Sequence, residues 1–165
     1  MLTHKWIALA ACGAFVIAAG CTKPGAELTV EKTVMVAASP AELWAFVGQW
    51  DGIANIAPVV KDVRIEGRGV GATRAFEANG ARFVEKLEAL EDGKSYTYTF
   101  VETPLPVEDY HGTIAVADAG GGMSSFTWTG TFKARGVPDE DARKALSDIF
   151  SGGVAEVQKQ FPVRE

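Results

Sequence analysis

The chain has 165 residues, of which 47% are hydrophobic and 22% are charged, and this length and composition predict one globular domain with its own hydrophobic core. Acidic residues outnumber basic ones by 21 to 16, and the net charge of −5 without any basic run argues against nucleic acid as a partner. Both cysteines lie in the first 21 residues, so the predicted domain has no internal disulfide.

The first 20 residues have the layout of a secretory signal peptide. Lys5 precedes an apolar run from Trp6 to Ala19, which is too short to count on as a membrane span of about 20 residues. The run ends in VIAAGC, where small residues directly precede Cys21. This ending resembles the lipobox of bacterial lipoproteins, and the resemblance implies that residues 1–20 are removed and that Cys21 carries a diacylglycerol.

Two other interpretations of the N-terminal segment stay open. The sequence LAAC, ending at Cys12, fits the lipobox preference better but leaves a shorter apolar stretch before it. An ordinary signal cleaved near Gly20 would leave Cys21 as a free thiol. If Cys21 is lipidated, residues 21–27 form a tether, and Thr22 after the cysteine resembles the pattern that sorts lipoproteins to the outer membrane. We therefore predict a location in the cell envelope, on the periplasmic side, with a lipid anchor in the outer membrane.

The folded domain is predicted to span residues 28–161 and to begin with a strand followed by two short helices. In SPAELWAFV, Ser39 is a helix N-cap and Glu42 completes a capping box, while WDGIANIAP predicts a second short helix. The preceding strand, LTVEKTVMV, places four apolar residues on one face, namely Leu28, Val30, Val34 and Val36.

Six further strands are predicted between Val59 and Ala134, where the residues alternate with a period of two. Turn-forming separators such as Asn79-Gly80 divide the runs, and their shortness implies antiparallel neighbours, so the six strands form a meander. The runs are VVKDVRIEG, GATRAFEA, RFVEKLEAL, SYTYTFVE, HGTIAVADA and SFTWTGTFKA.

From Pro138 onward, apolar residues recur mostly three or four positions apart, which predicts one amphipathic helix of about 22 residues. Gly152-Gly153 interrupts this helix, and the missing side chains are expected to leave volume for a bound molecule. The predicted fold is therefore α+β. It consists of a seven-stranded curved antiparallel sheet wrapped around a long C-terminal helix, with two short helices after the first strand.

This order of elements resembles the START-like helix-grip superfamily (SRPBCC), and in particular its bacterial polyketide cyclase/dehydrase-type branch. The resemblance covers about residues 28–161 and is carried by SPAELWAFV, GVGATRAF, VEKLEAL, PLPVEDYHGTI and FTWTGTF. It implies an internal cavity for a hydrophobic small molecule or lipid, with mobile loops at its entrance over residues 77–81 and 102–109. One departure is ANIAP, because many members have a Trp shortly before this proline.

In the abscisic acid receptors of this superfamily the cavity holds a small apolar acid, and the resemblance implies which residues contact a ligand here. Glu85 and Tyr110 match a pocket glutamate and a pocket tyrosine, and Tyr98 matches a pocket aromatic residue. Lys61 matches the lysine that pairs with the ligand carboxylate.

Large apolar residues are predicted to share the inner face of the sheet, because side chains alternate between faces along a strand. His111 alternates to the outer face and is predicted to lie on the surface. The inner-face residues predicted to contact a ligand are Phe76, Phe83, Leu87 and Trp128. The others predicted for this face are Tyr96, Tyr98, Phe126 and Phe132.

Glu85 falls between two large apolar residues on this inner face, where an unpaired carboxylate is very costly. Three roles stay open for it. It can form an ion pair with Lys61 or Arg74, or it can anchor a hydroxyl or carbonyl group of a ligand. It can also act as a general acid or base in a cyclisation or dehydration, with Tyr110 as hydrogen-bond donor.

The predicted function is that of an exported, lipid-anchored protein that binds a hydrophobic small molecule or lipid without catalysing a reaction. One alternative is a cyclase- or dehydratase-type enzyme that uses Glu85. Another is an accessory module with a protein partner in a periplasmic enzyme system, because members of this branch are found beside periplasmic methanol-oxidation machinery. No cofactor is expected, and no spacing of His, Cys, Asp and Glu resembles a metal site.

Lipid attachment at Cys21 is expected to be visible in the intact mass of the protein extracted from membranes. The mass is expected to match a chain that starts at Cys21 and carries a diacylglycerol, with or without a further acyl group. A soluble protein that starts near Gly20 or Cys21 would contradict the anchor.

Overall fold

The computed structural model describes residues 25–163. The predicted signal peptide, the lipid attachment at Cys21 and most of the predicted tether lie outside these residues. Within them, no helix combines the length and the apolar character that crossing a membrane requires. The elements are, in chain order, β1 (Leu28–Val36), α1 (Pro40–Val47), α2 (Ile53–Ile56), β2 (Val60–Glu66), β3 (Thr73–Ala78), β4 (Ala81–Glu91), β5 (Ser95–Glu102), β6 (Val107–Gly120), β7 (Met123–Ala134) and α3 (Asp139–Gln160).

All seven strands form one antiparallel sheet in the order β1-β7-β6-β5-β4-β3-β2. Strands β2 to β7 follow one another as a meander, and β1 pairs with β7, placing Leu28 opposite Phe132. The predicted sheet is therefore confirmed. Strand β6 begins at Val107, earlier than predicted, so the loop predicted over residues 102–109 is shorter than expected.

Helix α1 begins with the predicted capping box. Ser39 Oγ accepts a hydrogen bond from the backbone N–H of Glu42 at 3.3 Å, and the Glu42 carboxylate accepts one from the backbone N–H of Ser39 at 2.9 Å. These bonds satisfy N–H groups that the first turn of a helix leaves without partners. The helix buries Leu43, Trp44 and Val47, so the cap fixes where this apolar face enters the core.

Helix α3 packs against β1 and β7 on one face of the curved sheet. Phe150 of the helix stacks on Trp128 of β7 with 4.5 Å between the ring centroids. The buried positions of α3 are Ala142, Leu146, Phe150, Gly153 and Val157. The residues predicted for the inner face are each at most 9% exposed, namely Phe76, Phe83, Leu87, Tyr96, Tyr98, Phe126, Trp128 and Phe132. The predicted core is therefore confirmed.

The expected free volume at Gly152-Gly153 is absent, because the ring of Trp128 fills the space beside Gly153. A Cβ atom on Gly153 would lie 2.5 Å from Cζ3 of Trp128 and 3.3 Å from the carbonyl oxygen of Ile56. Gly152 is exposed, and a Cβ atom there would have no neighbour within 4 Å. The second glycine thus allows the helix to approach the sheet closely, and the first has no such role.

Alanine substitutions at these two glycines are expected to have opposite effects on the free energy of unfolding. Gly152→Ala is expected to raise it by about 1 kcal/mol, because Ala favours the helix more than Gly does. Gly153→Ala is expected to lower it by about 1–2 kcal/mol, because the new methyl group overpacks a ring that is stacked on Phe150. Urea unfolding of both variants measures the two values, and a stabilised Gly153→Ala would contradict the close contact with Trp128.

Candidate ligand-binding cavity

A cavity of about 390 Å³ lies between the sheet and helix α3. This volume falls within the range of about 300–1,000 Å³ that is typical of small-molecule sites. Val59 and Ile149 line the cavity and are 50% and 39% exposed, so they mark its open side. The largest apolar side chains in its lining are Phe76, Phe83, Phe100, Trp128 and Phe150.

Two tyrosines and a tryptophan form a chain of hydrogen bonds in the cavity wall. Trp128 Nε1 donates to the hydroxyl of Tyr98 at 3.1 Å, and the hydroxyls of Tyr98 and Tyr110 share a hydrogen bond at 3.1 Å. All three residues line the cavity. Burial raises the pKa of both tyrosines above the ordinary value, so both phenols keep their protons at neutral pH.

Two glycines in neighbouring strands make room for this pair of phenols. Gly112 in β6 and Gly130 in β7 lie directly opposite each other. A Cβ atom on Gly112 would lie 2.5 Å from Cζ of Tyr98 and would overlap the Tyr110 hydroxyl, and one on Gly130 would lie 3.1 Å from Cε2 of Tyr110. The sequence analysis missed both residues, although glycine inside a strand often marks the close approach of another group.

Glu85 is buried beside the cavity in an ion pair with Arg74. The two residues lie opposite each other on β4 and β3, and Arg74 Nε donates to Glu85 Oε2 at 2.5 Å. The Arg74 side chain is fully buried, its Nη1 donates to the carbonyl oxygen of Trp50 at 3.0 Å, and its guanidinium carbon lies 4.0 Å from the centre of the Trp50 ring. Of the two partners proposed for Glu85 from the sequence, the structure selects Arg74.

This ion pair uses one carboxylate oxygen of Glu85. Within residues 25–163, the hydrogen bond to Glu85 is made at Oε2, and Glu85 itself lines the cavity. Burial raises the pKa of Glu85, and the adjacent Arg74 guanidinium offsets part of that rise. Oε1 is therefore left as a hydrogen-bond acceptor for a bound molecule.

Lys61 does not line the cavity, and the expectation that its side chain faces inward is wrong. Its side chain is exposed, and the neighbouring Val60 lines the cavity instead. A β-bulge between Lys61 and Arg64 shifts the alternation of β2, and Asp62 within it has a positive φ of 55°. Within residues 25–163, the structure therefore places no lysine beside Glu85.

The structure also shows where the other residues named from the sequence lie. Leu87 is buried in the core outside the cavity lining. His111 is exposed, as predicted, and its Nδ1 lies 2.6 Å from Oε2 of Glu88. The predicted contacts that do line the cavity are Phe76, Phe83, Glu85, Tyr98, Tyr110 and Trp128. Contact of these residues with a ligand stays a prediction.

Phe100 is a lining residue that the sequence analysis did not single out. Its ring stacks on that of Tyr110 with 4.3 Å between centroids. The signal was present in SYTYTF, where Phe100 continues the alternation set by Tyr96 and Tyr98.

As for metals, the part of the chain that the structure describes contains no group of His, Cys, Asp and Glu side chains placed to hold an ion.

The sequence matches one family over residues 27–161, and that family is described as "Polyketide cyclase / dehydrase and lipid transport". The chain belongs to this family. The match includes all seven strands, all three helices and the whole cavity lining, and it confirms the resemblance drawn from the sequence motifs. A search of curated proteins finds no match.

Solved structures of several bacterial proteins share the helix-grip fold of this chain. An uncharacterised protein from Bacillus thuringiensis is 26% identical, with a TM-score of 0.75, and the match covers 81% of this chain and 98% of the other. The protein XoxI from Bacillus cereus is also 26% identical with a TM-score of 0.75, covering 81% and 94%. The Zhui aromatase/cyclase from a Streptomyces species is 20% identical with a TM-score of 0.68, covering 82% and 93%, and shows the same fold.

Removing one member of the buried ion pair is expected to destabilise the protein more than removing both charges. Arg74→Met is expected to lower the free energy of unfolding by about 3–5 kcal/mol, because it leaves a buried carboxylate without a partner. Arg74→Met/Glu85→Gln is expected to recover part of this loss. Arg82→Met is the matched control, since the Arg82–Glu102 pair is exposed and worth about 0–1 kcal/mol.

Urea unfolding of the three variants measures these differences. A double variant that is less stable than Arg74→Met would contradict the assignment of Arg74 as the partner that neutralises Glu85.

Proposed function

We propose that this protein is a non-catalytic binding protein that holds a hydrophobic small molecule or lipid in the cavity between the sheet and α3. The observation that carries the proposal is the cavity itself, with a volume of about 390 Å³, an aromatic lining and a polar cluster of Glu85, Tyr98 and Tyr110. An apolar molecule that leaves water for such a lining is stabilised by about 25 cal/mol for each Å² of apolar surface buried. The polar cluster then fixes its orientation.

The polar cluster supports binding over acid–base catalysis. A general acid or base must take up and release a proton, and the contact of Arg74 with Glu85 Oε2 at 2.5 Å opposes protonation of that carboxylate. Among the described residues that line the cavity, none is a histidine, cysteine or serine that would supply an alternative base or nucleophile. The arrangement therefore favours holding a ligand without changing it.

The proposal includes export to the cell envelope, with a lipid anchor at Cys21 in the outer membrane. Its support is the signal-like segment before Cys21 and the resemblance of VIAAGC to a lipobox. A tether over residues 21–27 would hold the cavity close to the membrane surface, where apolar molecules concentrate. Such a carrier needs no cofactor, and a protein partner that receives the ligand is compatible with it.

The purified protein is expected to bind one apolar molecule per chain, detected by native mass spectrometry after gentle desalting. Ala81→Phe is expected to weaken binding at least tenfold, because Ala81 lines the cavity and the larger side chain occupies part of its volume. The matched control is Ala117→Phe, the same change at an exposed position of β6, and it is expected to leave binding unchanged.

Three results would count against this function. A protein that takes up no apolar molecule, or an Ala81→Phe variant that binds as well as the unchanged protein, would remove the cavity as the binding site. A ligand recovered with altered mass after incubation would favour the enzyme alternative.

A further inference from the structure

The described residues that line the cavity include no lysine, arginine or histidine. Of the described residues that line it, Glu85 is the one acidic residue and none is basic, while Asn79, Tyr98 and Tyr110 are polar but neutral. The nearest cation, Arg74, lies behind Glu85 and is not part of the lining. A ligand therefore meets the acidic member of the ion pair and not the basic one.

The donors of Arg74 are also out of reach of a ligand. Nε donates to Glu85 Oε2 and Nη1 to the carbonyl oxygen of Trp50, while Nη2 is fully buried. Trp50 covers one face of the guanidinium. An anionic group in the cavity would thus gain no direct hydrogen bond from this cation.

The hydrogen bonds of Tyr98 and Tyr110 leave one phenolic O–H group without an acceptor among the described residues. Tyr98 and Tyr110 carry two O–H groups, and the bond between them uses one. The indole N–H of Trp128 occupies an acceptor site on Tyr98 and uses neither hydrogen. Whichever tyrosine donates to the other, one phenolic hydrogen has no partner among residues 25–163. The site therefore offers one acceptor, Glu85 Oε1, and one donor, a phenolic O–H.

We propose that this cavity selects an uncharged ligand that carries a hydroxyl group on an apolar skeleton, and that it rejects the carboxylate form of the same skeleton. A hydroxyl group matches both kinds of site, because it can donate to Glu85 Oε1 and accept from the phenol. The proposal rests on the proposed function, since it names the chemical class of the ligand held in that cavity.

Rejection of acids follows from the charge of Glu85. Two carboxylates that share one poorly solvated site are not both ionised. The contact with Arg74 at 2.5 Å favours the ionised form of Glu85, so we expect an acid to enter in its protonated form. At pH 7 a carboxylic acid with a pKa of about 4.3 is protonated in about one molecule in 500, so its apparent affinity falls by a factor on the order of 10² to 10³. The loss shrinks about tenfold for each pH unit below 7.

The other groups that face Glu85 do not reverse this effect. Arg74 on β3 is already paired with it. Tyr96 and Tyr98 on β5 and Tyr110 on β6 are neutral, because burial raises the pKa of each. The charge of Glu85 contributes to the raised pKa of all three tyrosines, and the charge of Arg74 acts on the same three in the opposite direction.

The test compares three molecules of one skeleton, naphthalene, 2-naphthol and 2-naphthoic acid, by isothermal titration calorimetry of the purified protein. At pH 7 we expect 2-naphthol to bind about tenfold more tightly than naphthalene, because it makes the two hydrogen bonds. We expect 2-naphthoic acid to bind on the order of 10²-fold more weakly than 2-naphthol. Between pH 7 and pH 5 the acid is expected to gain about tenfold per unit while 2-naphthol stays constant.

Glu85→Gln is expected to reverse the preference, because it removes the negative charge and leaves Arg74 to attract the naphthoate. Its matched control is Glu88→Gln, the same change on the opposite face of β4, which is expected to keep the preference for 2-naphthol. Should Glu85→Gln fail to fold, the pH series on the unchanged protein still decides the question.

The possible results distinguish a failure of ligand binding from a failure of the proposed preference for uncharged ligands. If none of the three molecules binds, the proposed function fails and the inference fails with it. If naphthalene and 2-naphthol bind but 2-naphthoic acid binds equally well at pH 7, or shows no gain at lower pH, the cavity binds apolar molecules and the inference about charge is overturned.

Discussion

The buried pair of Arg74 and Glu85 is the constraint on which the rest of the site depends. Placing two opposite charges in the interior carries a desolvation cost of several kcal/mol for each ion, and their mutual contact offsets it only while the geometry holds. Arg74 therefore stays bound to Glu85 on the next strand and to the carbonyl oxygen of Trp50 between α1 and α2. Because Trp50 also packs edge-on against Tyr96, one guanidinium connects the helical segment to three strands of the sheet.

The ion pair also determines the chemical character of the cavity. The aromatic lining would accept any apolar molecule of suitable size, since the hydrophobic effect has no direction. The orientation of a bound molecule would instead depend on Glu85, Tyr98 and Tyr110, which contribute the acidic and hydroxyl groups of the wall. Burial keeps the tyrosines protonated, and the buried Arg74 lies outside the lining, so among the described residues the cavity wall carries no positive charge. The receptor-like arrangement, in which a lysine meets a ligand carboxylate, is therefore not the arrangement of this chain.

Local signals in the sequence were sufficient for most of the fold. The capping box at Ser39 and the alternation in β1 depend on neighbouring residues only, and both were predicted correctly. The burial of Glu85 followed from the same alternation in β4. Its partner did not, because alternation allowed both Lys61 and Arg74 to face inward, and the choice depended on how β2 pairs with β3.

The predictions for Lys61 and for Gly153 were wrong for the same physical reason. The bulge that turns Lys61 outward depends on Asp62 adopting a left-handed backbone, which aspartate tolerates but does not require. Whether space remains beside Gly153 of α3 depends on which side chain of the sheet packs against it. That side chain is Trp128, which is 25 positions away in the chain. In both cases the local sequence permitted several outcomes, and contacts between distant residues selected one.

Gly112, Gly130 and Gly153 have a consequence for how this family can vary. Each glycine lies against aromatic side chains. Gly112 faces Tyr98 and Tyr110, Gly130 faces Phe150 and Tyr110, and Gly153 faces Trp128. A larger residue at any of them is compatible with the fold only when the facing ring becomes smaller at the same time. Related sequences that differ at these places are therefore expected to differ in pairs, and such covariation would trace the outline of the cavity wall across the family.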